Sequence, residues 1–215
     1  MRQDFELGSL LEGIFVELRQ KPELSLAGFL PLYDLQARSL VNLGKNQKAV
    51  ELLEQVVKIQ EAILAKDHPN RLASQHALAG AYRANGQVKD AVKLLEQVAK
   101  IREAILAEDH PSRLASQHEL AGAYQANGQV KDAVKLLEKV VKIQEAILAK
   151  DHPNRLASQH ELAGAYQANG QVKKAVKLLQ QVVKIEEAIL AEDHPSRLAS
   201  QRALAYYLRD IKSRE

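Results

Sequence analysis

The residues best suited to metal binding or catalysis are seven histidines, which occupy two recurring positions in this sequence of 215 residues. Four precede a proline and three lie eight residues further on: His68, His110, His152 and His194, then His76, His118 and His160. Zinc ligands must converge to within about 2.1 Å of the metal, whereas equivalent positions on packed neighbouring helices are roughly 8–10 Å apart. No HxxxH or HExxH motif places two histidines on one helix face. We therefore predict no metal site and no cofactor, and we expect the histidines beside proline to pack or hydrogen-bond at helix starts.

Serine and histidine also occur close together, but at a spacing that does not suit nucleophilic catalysis. Ser74 and His76 are two residues apart, so on a helix they lie on different faces. Nothing in the sequence supplies an oxyanion hole or a positioned acid. Cysteine is absent, which excludes disulfides, thiolate metal sites and a cysteine nucleophile. We predict that the protein is not an enzyme.

The histidines recur because the sequence is an internal repeat. An Asp-His-Pro-Asn/Ser tetrad returns every 42 residues, and adjacent copies are almost identical. The chain divides into a leading segment 1–24, the repeats 25–66, 67–108, 109–150 and 151–192, and a half repeat 193–215. A repeat of this length indicates a solenoid, because one repeat cannot bury its apolar face without a neighbour. We predict one solenoid domain over residues 1–215, with an N-terminal capping helix at 1–24.

Each repeat is predicted to contain two helices. In one repeat the residues 67–69 are a start signal, with a polar cap followed by proline in the first turn. Apolar residues at helical spacing predict a first helix over 71–84 and a second over 88–107. The Asn-Gly pair at 85–86 marks the stop between them, since both residues tolerate the left-handed conformation.

The helical pattern also predicts which side chains are buried. We expect each repeat's tyrosine (Tyr82, Tyr124, Tyr166) between its two helices, the turn glycine (Gly86, Gly128, Gly170) at positive φ, and Ile105 in the second helix's apolar stripe. A mid-helix glycine, at Gly80 and its copies, costs about 1 kcal/mol relative to alanine. Two interpretations stay open: close packing of helices, or a groove floor that a ligand backbone approaches.

Charge and hydropathy exclude further classes of function. Thirty basic and 27 acidic residues leave a net charge of +3, which is too weak a bias to indicate nucleic-acid binding. No apolar run approaches the roughly 18 residues of a membrane span. The first residues do not form a signal peptide. We expect no nucleic-acid or membrane partner and a cytoplasmic location.

The spacing of key residues in each repeat resembles the tetratricopeptide signature. It reads Leu78-Ala79-x-x-Tyr82-x-x-x-Gly86-x-Val88-x-x-Ala91-x-x-x-Leu95 and departs from the ordinary unit in its length, 42 rather than 34 residues. Over residues 25–210 the sequence is similar to kinesin-light-chain repeats and to the C-terminal arrays of fungal and bacterial NB-ARC (NLR-like) signalling proteins, whose neighbouring repeats are often nearly identical. A natural array and a consensus design both remain open.

The resemblance implies an all-α fold, a right-handed superhelix whose first helices line a concave groove that binds a peptide or protein. By the family's geometry the groove residues form three rows: His76, His118, His160 and Arg202; Gly80, Gly122, Gly164 and Tyr206; Arg83, Gln125, Gln167 and Arg209. Mostly basic groups bracket this strip, so a mild preference for acidic ligands is expected. The alternative function is a structural module that associates end to end, because the half repeat lacks a second helix to cover it.

Overall fold

The computed structural model describes residues 30–214 of the chain, so the capping helix predicted for residues 1–24 lies outside the described residues. The described residues form nine α-helices and no strand. The helices are α1 (Leu30–Asn42), α2 (Asn46–Ile63), α3 (Pro69–Ala84), α4 (Val88–Ile105), α5 (Pro111–Ala126), α6 (Val130–Ile147), α7 (Pro153–Ala168), α8 (Val172–Ile189) and α9 (Pro195–Arg214). The all-α fold predicted from the repeat is confirmed.

The helices belong to two compact units, with the boundary between Ile105 and Leu106. In the first unit α1 to α4 pack in chain order, and α1 also contacts α3. In the second unit α5 to α9 pack in the same way, and α5 also contacts α7. Odd-numbered helices are therefore the first helices of the repeats and even-numbered ones the second helices, which is the stacking expected of a solenoid.

Histidine caps the first helix at the start of each complete repeat that the structure describes. In α3, α5 and α7 proline is the first helical residue, and the Nδ1 atom of the preceding histidine accepts a hydrogen bond from the backbone N–H two residues on. The distances from the backbone nitrogen to Nδ1 are 3.1 to 3.2 Å at His68, His110 and His152, and His194 makes the same bond at 3.2 Å. The predicted role of these histidines is confirmed, although histidine itself, not the aspartate before it, is the capping residue.

Glycine follows the end of four first helices, α1, α3, α5 and α7, and the predicted positive φ is confirmed. Gly86, Gly128 and Gly170 have φ angles of 80°, 78° and 77°, and Gly44 has 71°. A side chain is strained at these angles, whereas glycine adopts them freely. The following N–H then reaches back into the helix, for example from Gln87 N to Tyr82 O at 2.8 Å.

The core of both units is built from small and branched side chains of first and second helices, and its most deeply buried leucines lie on the second helices. One alanine and one leucine per repeat are almost completely buried: Ala49, Ala91, Ala133 and Ala175, with Leu53, Leu95, Leu137 and Leu179. Burial of a leucine is worth about 1.5–3 kcal/mol, so this pair anchors every repeat. The prediction for Ile105 is wrong: as the last residue of α4 it lies where the buried stripe ends, and about half of its side chain is exposed.

The tyrosines are only half-buried, which corrects the prediction that they lie wholly between the helices of one repeat. Tyr82 Oη donates to Glu54 Oε1 at 2.8 Å and Tyr166 Oη to Glu138 Oε1 at 2.7 Å, and each glutamate lies on the second helix of the preceding repeat. The cause is the hydroxyl, which needs a polar partner while the ring packs on the core. Burial, followed by the bond to glutamate, raises the pKa of Tyr82 and Tyr166 to about 12.

Arginine ties four of the first helices, α3, α5, α7 and α9, to the loop before them. The Nη1 atom of Arg71, Arg113, Arg155 or Arg197 donates to the carbonyl of the leucine seven residues earlier, at 2.9 to 3.1 Å. The leucine follows the last residue of the second helix, where carbonyl groups lack helical partners. Within each unit, the start of a first helix is thereby held against the end of the preceding second helix.

Candidate peptide-binding surface

All twelve residues implied as groove residues lie on first helices. In the first unit these are His76, Gly80 and Arg83 on α3. In the second unit they are His118, Gly122 and Gln125 on α5, His160, Gly164 and Gln167 on α7, and Arg202, Tyr206 and Arg209 on α9. We call the set of nine residues in the second unit the first-helix surface.

The histidines of the first-helix surface are half-buried and link neighbouring repeats. His118 Nδ1 lies 3.2 Å from Ser158 Oγ on α7, and His160 Nδ1 lies 3.0 Å from Ser200 Oγ on α9. Both serines are almost completely buried, with 2% and 1% of their surface exposed. These imidazoles therefore help to hold one first helix to the next, a role that the sequence analysis missed. The signal was the Ser-x-His pair in each repeat, which becomes a contact only when the repeats stack.

The mid-helix glycines leave space where a side chain would fit. A Cβ atom built at Gly164 meets Tyr207 Oη at 3.8 Å, which is ordinary van der Waals contact. At Gly80 nothing in the described part of the chain lies within 4 Å of such an atom. Close packing of helices therefore does not require glycine at these two positions. The interpretation that stays open is a floor approached by a ligand.

The remaining side chains of the first-helix surface differ in how free they are. Gln125 Nε2 donates to Glu161 Oε1 on α7 at 2.8 Å, so this amide is already engaged. Arg202 and Arg209 are exposed, and Tyr206 keeps 59% of its surface accessible. Arg83 in the first unit is exposed as well. The exposed members of the first-helix surface are thus mainly the α9 residues. A partner can contact them without breaking the hydrogen bond between Gln125 and Glu161.

A cavity of about 440 Å³ lies beside these residues in the second unit. His118 and His160 line it together with three carboxylate residues, Asp151, Glu161 and Glu186. No lysine or arginine is among the lining residues that the structure describes. The charged residues that line this cavity are therefore acidic, whereas mostly basic groups were expected from the sequence at the borders of the groove.

A second cavity, of about 310 Å³, lies on the second helices of the same unit. Lys142, Lys174 and Lys177 line it with Tyr166. The ammonium group of Lys174 stands 5.1 Å from the centre of the Tyr166 ring, within the range of a cation–π contact. Glu138 and Glu145 also line this second cavity, so it carries both charges, whereas no lysine or arginine is among the described residues that line the 440 Å³ cavity.

The described residues contain no group of three or more histidine, aspartate or glutamate side chains arranged to hold a metal ion. None of the helices between residues 30 and 214 combines the length and the apolar character required to cross a bilayer.

Comparison with protein families identifies the repeat. The family model described as tetratricopeptide repeat matches residues 30–104 and 112–185. These two segments together cover more than half of the chain. No curated protein sequence matches it.

Two solved structures of a kinesin-light-chain-like protein of Podosopora anserina, described as having nearly identical TPR-like repeats, are similar in both sequence and fold. One is 60% identical with a TM-score of 0.77, covering 86% of this chain and 88% of that chain. The other, a variant of that protein with one glutamine replaced by methionine, is 59% identical with a TM-score of 0.78 and covers 86% and 87%. BtubC (BKLC) from P. vanneervenii shares the fold at 13% identity, with a TM-score of 0.75 and coverage of 98% and 84%.

Proposed function

Since the chain belongs to the tetratricopeptide-repeat family, we propose that it is a non-enzymatic scaffold that binds a protein or peptide through the first-helix surface. The observation that carries this proposal is the position of the 440 Å³ cavity. His118 and His160, two residues of the first-helix surface, also line the cavity. Ligand sites are usually concavities of about 300–1,000 Å³ that combine apolar lining with a few polar groups.

Two further features support the first-helix surface as the binding site. Gly164 leaves room for an approaching backbone. Arg202 and Arg209 are exposed and offer donors for carbonyl or carboxylate groups of a ligand. An extended peptide needs such donors because its own backbone groups lose water on binding.

The proposal extends to the class of protein to which this array belongs. We propose that the array is the sensor arm of an NLR-like signalling protein of the cytoplasm, because its neighbouring repeats are nearly identical. The sequence itself contains no Gly-x-x-x-x-Gly-Lys-Ser/Thr motif for a nucleotide. The encoding gene tests this idea. An NB-ARC domain in the same reading frame is expected, and a gene without one would contradict it.

The experiment for the binding function uses peptides selected from a random library by the full-length chain. Their affinity is then measured for the double variant Arg202→Ala/Arg209→Ala and for a matched control, Lys131→Ala/Lys135→Ala, whose exposed lysines lie on α6. The first variant is expected to lose at least about tenfold in affinity, the value of one charge-assisted hydrogen bond. The control is expected to bind like the wild type. A loss in the control alone would move the site to the second helices.

Self-association is the second candidate function, and one observation favours it. Helix α9 carries two apolar side chains in water, Tyr206 with 59% and Leu208 with 39% of their surface exposed. Within the units, α3 packs between α2 and α4, and α7 packs between α6 and α8. We propose that a second copy of the chain covers α9 in the same way, giving a head-to-tail contact that propagates.

A further inference from the structure

One buried position changes from repeat to repeat although its surroundings do not. It is occupied by Gln60, Arg102, Gln144 and Glu186. Among the three repeats between residues 67 and 192, it is the single position with three different residues. The alanine, leucine and valine positions of the core around it are identical or nearly so in all three.

A charged residue at this position costs free energy, because the position is buried. All four side chains are 0 to 8% exposed. A charged group loses several kcal/mol of hydration when it is buried without compensation. Substitutions that accumulate at this depth without selection are therefore expected to be uncharged. Burial also lowers the pKa of Arg102. Residues of three different charges at one buried position point to selection for charge itself.

Glu186 shows what the position faces in the second unit. It lines the 440 Å³ cavity and is only 4% exposed. Its Oε2 atom is buried and makes no hydrogen bond within the described part of the chain. A buried carboxylate oxygen without a donor is a costly arrangement, and a ligand that supplies the donor relieves it.

The other ionisable groups of the cavity favour a cation. Asp151 and Glu161 add two further carboxylates to the lining. The lining histidines already use their Nδ1 atoms: His118 and His160 contact serine hydroxyls, and His194 accepts from the backbone N–H of Ser196. The nearby Arg197 donates to the Leu190 carbonyl at 3.0 Å. Apolar lining from Leu156 and Ile189 matches the methylene groups of a long basic side chain.

We infer that this cavity binds a lysine or arginine side chain of the peptide partner, and that residue 186 sets the preference for charge. The inference rests on the proposed function, because it names the chemistry of the ligand at the same surface. The variation of the position among repeats then has a meaning: each repeat selects one ligand side chain, with Glu186 reading a basic residue.

The chain supplies its own variants for a test. Glu186→Gln introduces the residue of positions 60 and 144, and Glu186→Arg that of position 102, so both replacements are already accommodated in the core of sister repeats. Glu192→Gln is the matched control, because it removes the same charge from an exposed loop residue. The full-length wild type and each variant select binders from the same random peptide library, and affinities of single selected peptides are then measured.

The wild type and Glu192→Gln are expected to enrich peptides with lysine or arginine at one position. Glu186→Gln is expected to lose this enrichment and to bind a wild-type-selected peptide at least about tenfold more weakly. Glu186→Arg is expected to select aspartate or glutamate there instead. Enriched binders with the same charge preference in the wild type and Glu186→Gln would overturn this inference and leave the proposed function standing. A library that yields no binders at all would overturn both.

Discussion

At the starts of α3, α5, α7 and α9, histidine has a structural role as a helix cap. The imidazole of His152 offers Nδ1 as an acceptor to the backbone N–H of Asn154, which has no helical partner. His152→Ala is expected to lower the free energy of unfolding by about 1 kcal/mol, as loss of a side-chain cap usually does. His152→Asn is expected to keep the stability, because asparagine is a good capping residue. Denaturant melts measure both, with Lys150→Ala, an exposed neighbour, as control. A loss no larger than that of the control would contradict the cap.

The tyrosine hydroxyls make stability depend on pH in the alkaline range. In the folded protein the pKa of Tyr82 and Tyr166 is about 12, compared with an ordinary value of 10.0. A group whose folded pKa is raised stabilises the fold fully below its unfolded pKa. We therefore expect stability to fall as pH rises from 10 towards about 12.

Absorbance of the phenolate during a pH titration measures this effect. Tyr82 and Tyr166 are expected to ionise late among the six tyrosines. Tyr166→Phe is expected to remove one late transition and to make the decline of stability with pH shallower. Ionisation of all six tyrosines together near pH 10 would contradict the bonds to Glu54 and Glu138.

At the scale of helices, the bond between His118 and Ser158 is expected to couple α5 to α7. His118→Ala leaves the buried serine hydroxyl without its partner, so this single change costs more than it does when Ser158→Ala is also present. A double-mutant cycle is expected to give a coupling free energy of about 0.5–1.5 kcal/mol. Lys135→Ala combined with Ser158→Ala provides an additive reference. A His118–Ser158 cycle that is equally additive would show that the contact does not stabilise the repeat stack.

The helices were predictable because the same residues mark the helix ends in every complete repeat from residue 67 onwards. Proline and the Asn-Gly pair place the ends of each first helix, and α3 spans Pro69–Ala84 against a predicted 71–84. The second helix α4 ends two residues earlier than predicted, at Ile105. Apolar spacing cannot locate this end, since the last isoleucine continues the periodic pattern although it is half exposed.

Contacts between repeats were not predictable from one repeat alone. The bonds from His118 to Ser158 and from Tyr166 to Glu138 join residues 40 and 28 positions apart. They follow from the way in which helices stack, which helical periodicity does not specify. The cavity at Glu186 depends on six chain segments meeting, from α5, the α6–α7 loop, α7, α8, the α8–α9 loop and α9. The variation among repeats at the position of Glu186 is visible in the sequence, but the burial of Glu186 and its Oε2 atom without a hydrogen bond in the described residues required the structure.

At the scale of the whole molecule, the exposed α9 residues predict association of copies. Sedimentation equilibrium of the wild type is expected to show a mass that rises with concentration. Tyr206→Lys/Leu208→Lys is expected to remain monomeric, because two buried charges oppose the contact. Ile147→Lys controls for the loss of an exposed apolar residue elsewhere. A strictly monomeric wild type at millimolar concentration would exclude the second candidate function.

Gly164→Ala tests most directly whether a peptide lies on the first-helix surface. The change is expected to raise the stability of the protein and to lower its affinity for a peptide. Among the described residues the added methyl group meets only Tyr207 Oη, at 3.8 Å, so the helix is expected to gain about 1 kcal/mol of stability. The same methyl group occupies space that the ligand backbone approaches, and the affinity for a library-selected peptide is expected to fall several-fold. A more stable variant that binds less tightly supports the account, because misfolding cannot explain the loss. A more stable variant with unchanged affinity would contradict it.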